Sequence, residues 1–242
     1  MNDLQLEIKN CIEAQVQKDY GVKVVVEYVS DIEVRKKQIL ETMSEKMNQT
    51  YDADHYTGVF IPQAEDNPYY ILIQENRNNN LDIMTAFHEY QHLRDYIIFL
   101  NVVFHNNVDA LKDSQLYISF NLYSEFMATR EGMYQYIKYK YSEVYMTKDK
   151  YIEQLEVFLK EYKKFQGVKT RYQLLMHNLV FLGRIIAIQL IDAEIDVSYY
   201  THELFSLKEN AGFEQVVACL VSYDNSAEWY IEFDKVVREF IK

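Results

Sequence analysis

The sequence is poor in the residues that interrupt or cross-link a chain: it has two Pro, six Gly and two Cys among 242 residues. So few helix breakers, with no low-complexity tract, leave no composition for a disordered linker and imply a helix-rich globular chain. Cys11 and Cys219 lie far apart and form no C-x-x-C pair, which argues against a disulfide framework and against a cysteine zinc site. Basic charge is also scarce. With 25 Lys and Arg against 37 Asp and Glu the net charge is −12, so there is no footprint for phosphate backbones and no direct nucleic-acid partner is expected. The N-terminal MNDLQLEIKNCIEA lacks the basic and apolar regions of a secretory signal. The most apolar stretch, Leu174 to Ile191, contains His177, Asn178, Arg184 and Gln189, which are costly at a bilayer centre. It reads as a buried core helix, and a cytoplasmic protein with no membrane partner is expected.

What is present is an apolar fraction of 49%, enough for a proper core, arranged with clear periodicity. Apolar positions from Leu4 to Val16 recur at helical spacing, and Val22 to Val29 is a β-branched run that reads as a strand. A helix is expected from about Glu33 to Asn48. Strands follow at Gly58 to Pro62 and Tyr69 to Gln74, separated by the turn-forming AEDNP. The Asn-rich ENRNNN then offers an N-cap for a helix beginning near Leu81. Strand signals vanish after about residue 80. Helices are expected over Leu116 to Tyr141, Tyr151 to Phe165 and Tyr172 to Ile191, and a last one to Phe240 opened by a capping box of Asn225 with Glu228. The 22 Tyr include Tyr134, Tyr136, Tyr139 and Tyr141 on one helix, where packing at the core edge is favoured over a peptide-binding surface.

The chemistry is concentrated in TAFHEYQHLRDY. His88 and His92 stand four residues apart on a predicted helix, so both project from one face about one turn apart and can converge on one tetrahedral Zn²⁺. Glu89, about 100° further round, can reach a water in the open metal position and act as general base. A chain with this few His acquires such a His-Glu-x-x-His pattern by accident on the order of one or two times in a hundred. Leu81, Met84, His88, His92, Tyr96 and Phe99 share one stripe, which predicts that the histidines face the core.

A hydrolytic zinc site takes three protein ligands. The extended pattern with a third His fails, because Asp95 and Ile98 occupy its Gly and last His positions. The segment NLYSEFMATREGMY offers Glu125 and Glu131. Glu125 lies on an inward stripe with Ile118, Leu122, Thr129, Gly132 and Tyr136, in which Thr129 and Gly132 would permit close approach to the active-site helix. Glu131 points about 120° away. Glu125 is therefore the expected third ligand, with Asp95 a weaker candidate or a partner that orients a histidine. His177, Tyr123 and Tyr136 are candidates for stabilising an oxyanion, although ordinary packing explains each. His55, His105 and His202 have no identifiable partners.

With these residues the chain resembles the ImmA/IrrE-like family of gluzincin metallopeptidases, common in phages and mobile elements, over about residues 20 to 140. The matching features are the strand TGVF, the strand YYILI, TAFHEYQH, and an E-x-x-A formed by Glu125 and Ala128. It departs from the family in Gln91, where HELGH has Gly, and in Thr129, where Asn often follows. The resemblance implies a zinc-dependent endopeptidase that cleaves a protein such as a transcriptional repressor. The expected fold is α+β: residues 1–145 form a minimal zincin domain with a small, mainly antiparallel sheet and an HExxH helix, and residues 146–242 form an all-helical region packed on it. The alternative is a catalytically silent metal-binding protein that regulates or binds a partner. Zn²⁺ is the expected cofactor, although such donors also accept Mn²⁺, Fe²⁺ or Ni²⁺.

Overall fold

Asn2 opens the first helix, α1 (Asp3–Tyr20), with a capping box: its side chain accepts from the Gln5 backbone N–H at 2.9 Å, while the Gln5 side chain accepts from the Asn2 N–H at 2.8 Å. Gly21, at φ +68°, closes it in the left-handed conformation that glycine adopts without strain. The computed structural model describes residues 1–42, 57–62, 68–75, 79–112, 114–139, 147–164, 170–206 and 210–242. After α1 come β1 (Val24–Val29), α2 (Ile32–Leu40), β2 (Gly58–Ile61), β3 (Tyr69–Gln74) and α3 (Asn79–Phe104). The remainder is helical among the described residues: α4 (Val108–Lys112), α5 (Leu116–Lys138), α6 (Lys148–Lys164), α7 (Arg171–Ile191), α8 (Ser198–Phe205), α9 (Phe213–Val221) and α10 (Ala227–Ile241). The class is α+β. The chain forms two compact units, residues 1–93 with 135–145 and residues 94–134 with 146–242, and two of the three dividing points fall inside α3 and α5.

In the first unit the sheet order is β1-β3-β2, and it is mixed rather than mainly antiparallel. β1 runs parallel to β3 from Val24 opposite Tyr69 to Val29 opposite Gln74, whereas the antiparallel pairing of β2 with β3 spans only Gly58 to Ile61. The reason is topological: β1 leads into α2, and when the chain returns, β3 and not β2 takes the place beside β1. As the central strand, β3 buries Ile71, Leu72 and Ile73 completely, which accounts for its unbroken apolar run. Alternation along β2 sends Val59 and Ile61 with Leu72 against Ile32 and Ile39 of α2, while Gly58 faces Thr85 and Glu89 of α3.

The outer edge of β1 is closed by side chains of α1. Lys9 Nζ donates to the Val26 carbonyl at 2.8 Å, and Glu13 Oε1 accepts from the Val26 N–H at 3.0 Å. Those bonds satisfy backbone groups that an edge strand otherwise offers to other chains. Ile8, Ile12 and Val16, at helical spacing, supply the buried face of α1. The helix expected over 33–48 begins at Ile32, capped by Asp31, and ends at Leu40 with Glu41 as its C-cap; positions 43–48, 64–67 of AEDNP and 76–78 of ENRNNN lie outside the described residues.

The second unit is held by an aromatic cluster and by polar groups paired inside it. Phe99 and Phe120 stack at 4.2 Å, and Tyr123 packs among Tyr223, Trp229, Tyr230 and Phe233. Buried Asn178 of α7 closes a ring of hydrogen bonds: it accepts from Tyr162 at 2.8 Å and donates to Asn210 at 2.8 Å, and Asn210 donates to Tyr162 at 2.9 Å. α7 is long and apolar enough to cross a membrane by length and composition, and half of its most apolar window is buried. The cap of α10 is Ser226, whose hydroxyl accepts from the Trp229 N–H at 3.0 Å, and not Asn225. Asn225 instead takes a positive φ of 61°, a turn conformation that Asn tolerates but an N-cap does not use.

One buried group makes no hydrogen bond among the described residues, the Tyr28 hydroxyl on β1. Burial pushes its pKa up, helped by the charges of Asp82 and Tyr139. Tyr28→Phe should leave the protein as stable or about 1 kcal/mol more stable at pH 7, because it removes an unsatisfied buried hydroxyl. The sign of the pH effect follows from the raised folded-state pKa: the neutral phenol's contribution is complete below the unfolded value near 10 and is lost as pH rises above it. Denaturant titrations from pH 7 to 11 should show a smaller alkaline loss of stability in Tyr28→Phe than in the parent. Destabilisation of the variant at pH 7 by more than about 1 kcal/mol would mean that the hydroxyl is satisfied.

Candidate metal centre

His88 and His92 lie one turn apart on α3, with their rings edge to face and their Nε2 atoms 3.0 Å apart. Two imidazole nitrogens on one tetrahedral zinc stand roughly 3.3 Å apart at ordinary Zn–N lengths. Glu125 of α5 completes the set: donor atoms of His88, His92 and Glu125 all lie within 4.8 Å of one another. This is the one such group of metal-ligating side chains among the described residues, and it is able to hold a metal ion. Two neutral imidazoles and one carboxylate form a donor set suited to a borderline divalent cation. Glu131 is not part of the group, nor is Asp95.

The helix positions these groups differently from the predicted stripe. Leu81, Met84, His88 and His92 are only half-buried, whereas Ile83, Thr85, Ala86, Phe87, Glu89, Tyr90, Gln91 and Leu93 around them are buried. The histidines thus lie on the least covered line of this part of α3 and not on its core face. The stripe misleads because the helix is apolar on almost every side, so periodicity does not single out the buried face. All three donor residues are half-buried, which leaves them within reach of solvent. The His92 ring is nevertheless desolvated enough that burial lowers its pKa to about 4. It is neutral at physiological pH, the form in which imidazole binds a metal.

Glu89 lies outside the donor set and is buried, at 7% exposure. It sits beneath the first residue of β2: a Cβ on Gly58 would stand 2.8 Å from Glu89 Cγ and 3.0 Å from its Oε1. Thr85, one turn earlier, donates to Thr57 at 3.3 Å. In the sequence the glycine reads only as the start of a strand, and no signal there ties it to Glu89.

Asp95 is buried at 2% exposure and accepts from the Ser124 hydroxyl at 3.2 Å. Its charge helps raise the pKa of Tyr123 and Tyr230, for which burial is the larger cause. Tyr123 belongs to the aromatic cluster, Tyr136 and His177 are half-buried outside the donor group, and His105 and His202 are exposed. His55 lies outside the described residues. On α5, only Leu122 and Gly132 of the expected inward stripe are buried; Glu125, Thr129 and Tyr136 are half-buried and Ile118 is 52% exposed. The close approach at Thr129 is made by α7: a Cβ on Gly183 would lie 3.4 Å from Thr129 Cβ and 2.9 Å from the Phe126 carbonyl.

Replacing Glu125 with Ala should weaken metal binding by more than about 100-fold, since loss even of a group that merely supports a ligand costs 10–100-fold. Glu131→Ala should change it less than about threefold, within the small range of surface substitutions. Titration of metal-free protein with Zn²⁺ against a chromophoric chelator measures both, and the reverse ranking would move the third ligand to Glu131. Comparisons with protein-family models, with curated proteins and with solved structures find no match.

Proposed function

We propose that the protein is a zinc-dependent endopeptidase whose metal is held by His88, His92 and Glu125 and whose proton acceptor is Glu89. The observation that carries the reading is the convergence of those three donors, with a buried carboxylate from the residue next to His88 left outside the set. Three protein ligands fit a tetrahedral metal with one position open. Zinc bound there would supply a Lewis acid for a scissile carbonyl and lower the pKa of a coordinated water toward neutrality.

The protein's own groups do the rest. His92, kept neutral by desolvation, offers a lone pair at physiological pH. Glu89 accepts a proton from the attacking water and returns it to the leaving amine. It is buried beneath Gly58, whose missing side chain leaves the space that the carboxylate occupies. The donors are half-buried and not sealed from solvent, and β2, at the end of the sheet order, is suited to hold a peptide by strand addition. The resemblance to ImmA/IrrE-like metallopeptidases directs the substrate class to proteins, and among them to transcriptional regulators of a phage or mobile element.

Co-expression with regulators encoded beside the gene identifies the substrate by the appearance of fragments. With a cleaved substrate in hand, Glu89→Gln should retain stoichiometric zinc and lose hydrolysis by 10²–10⁴-fold, roughly the contribution of a general base. The amide is nearly isosteric and takes no proton from water. An unimpaired Glu89→Gln would overturn the assigned role. Cleavage of no candidate by a zinc-loaded parent would favour a metal-binding regulatory protein.

A further inference from the structure

We infer that Gly58 is a positioning residue: the absence of a side chain there fixes where the Glu89 carboxylate stands. The inference rests on the proposed metallopeptidase reading and deepens it by adding a residue from the sheet to a site otherwise built on helices. Gly58 does not take a left-handed backbone; it is the first residue of β2, paired opposite Ile73 of β3. Conformational freedom therefore does not explain the glycine. Space does. A Cβ at this position would overlap Thr85 Cγ2 and would lie 2.8 Å from Glu89 Cγ and 3.0 Å from Glu89 Oε1. Heavy atoms do not pack at such separations. Alanine would have to push aside Thr85, Glu89 or the strand itself.

Of these, the strand is the least free to move. β2 is bonded along β3, the Gln74 N–H donates to the Thr57 carbonyl at 2.7 Å, and Val59 and Ile61 are packed against α2. Thr85 is buried at 4% exposure on α3. The Glu89 carboxylate is the end of a flexible side chain, and it is the group that yields. A displaced carboxylate remains on the protein but no longer meets the proton it should accept. Metal binding, which does not use Glu89, is untouched.

The test separates the two neighbours of Gly58. Thr85→Ser deletes the Cγ2 atom and keeps the hydroxyl, so of the three atoms nearest a Cβ at Gly58 only the two of Glu89 remain in a Thr85→Ser background. Full-length protein loaded with Co²⁺ is titrated with acetohydroxamate, followed by the cobalt absorption bands. Hydroxamate binds the metal and presents its own proton to a neighbouring carboxylate, so its affinity reads the position of Glu89, while a separate Co²⁺ titration reads the donors. Glu89→Gln should weaken hydroxamate by about tenfold or more, the scale of one hydrogen bond to a charged group. Gly58→Ala/Thr85→Ser should weaken it by a similar factor, with Co²⁺ affinity and thermal midpoint close to those of Thr85→Ser alone. Added to Glu89→Gln, the same pair should cause little further loss, because both changes act through one carboxylate. Full hydroxamate affinity in Gly58→Ala/Thr85→Ser, or a loss that adds undiminished to that of Glu89→Gln, overturns the role of Gly58 while leaving the metal centre standing. Failure of the parent to bind Co²⁺ overturns the metallopeptidase reading and this inference together.

Discussion

The constraint on which the site depends is the placement of two imidazoles one turn apart on a helix whose neighbouring side chains are nearly all buried. Their Nε2 atoms stand 3.0 Å apart before any metal is considered. Without a cation that arrangement needs one nitrogen to donate and the other to accept; with one, both lone pairs converge on it. Desolvation of His92 removes the competing protonated state near neutrality. Glu125 is brought to the same place by α5. The packing of that helix against α7 at Gly183 and the bond from Ser124 to buried Asp95 hold the segment around it.

The first unit contributes geometry of a different kind. Its sheet is small, yet neither edge is idle, because Lys9 and Glu13 of α1 close β1 while β2 begins directly over Glu89. A buried carboxylate under a strand explores fewer positions than an exposed one, which favours a proton-transfer group. The same strand would carry the substrate backbone in the proposed function, so the wall that confines Glu89 and the surface that binds peptide would be one element.

Much of this is legible in the sequence because it depends on local spacing. HEYQH places its own histidines through the helical repeat alone, and the apolar patterns of β3 and α7 declare their elements close to the observed ends, while that of α1 stops a turn short of Tyr20. Glu125 is separated from Glu131 by the same periodicity, and it is Glu125 that joins the donor group. Long-range facts are not legible. The parallel pairing of β1 with β3 depends on which strand returns beside β1, the contact of Gly58 with Glu89 joins residues distant in sequence, and the open line of α3 depends on what packs around it. Where two local signals compete, at Asn225 and Ser226, the nearer capping hydroxyl wins and Asn225 takes the turn. The short helices α4, α8 and α9 have 5, 8 and 9 residues, too few for periodicity to announce them.

The central claim is that His88, His92 and Glu125 form one metal centre. It is tested most directly by X-ray absorption and elemental analysis of full-length protein purified without a histidine tag. Such a centre should hold close to one zinc per chain, with two imidazole nitrogens at about 2.0–2.1 Å and the remaining ligands oxygen. Protein that is folded but retains no divalent metal after exposure to zinc, or a bound metal whose spectrum shows sulfur or no imidazole, would contradict it.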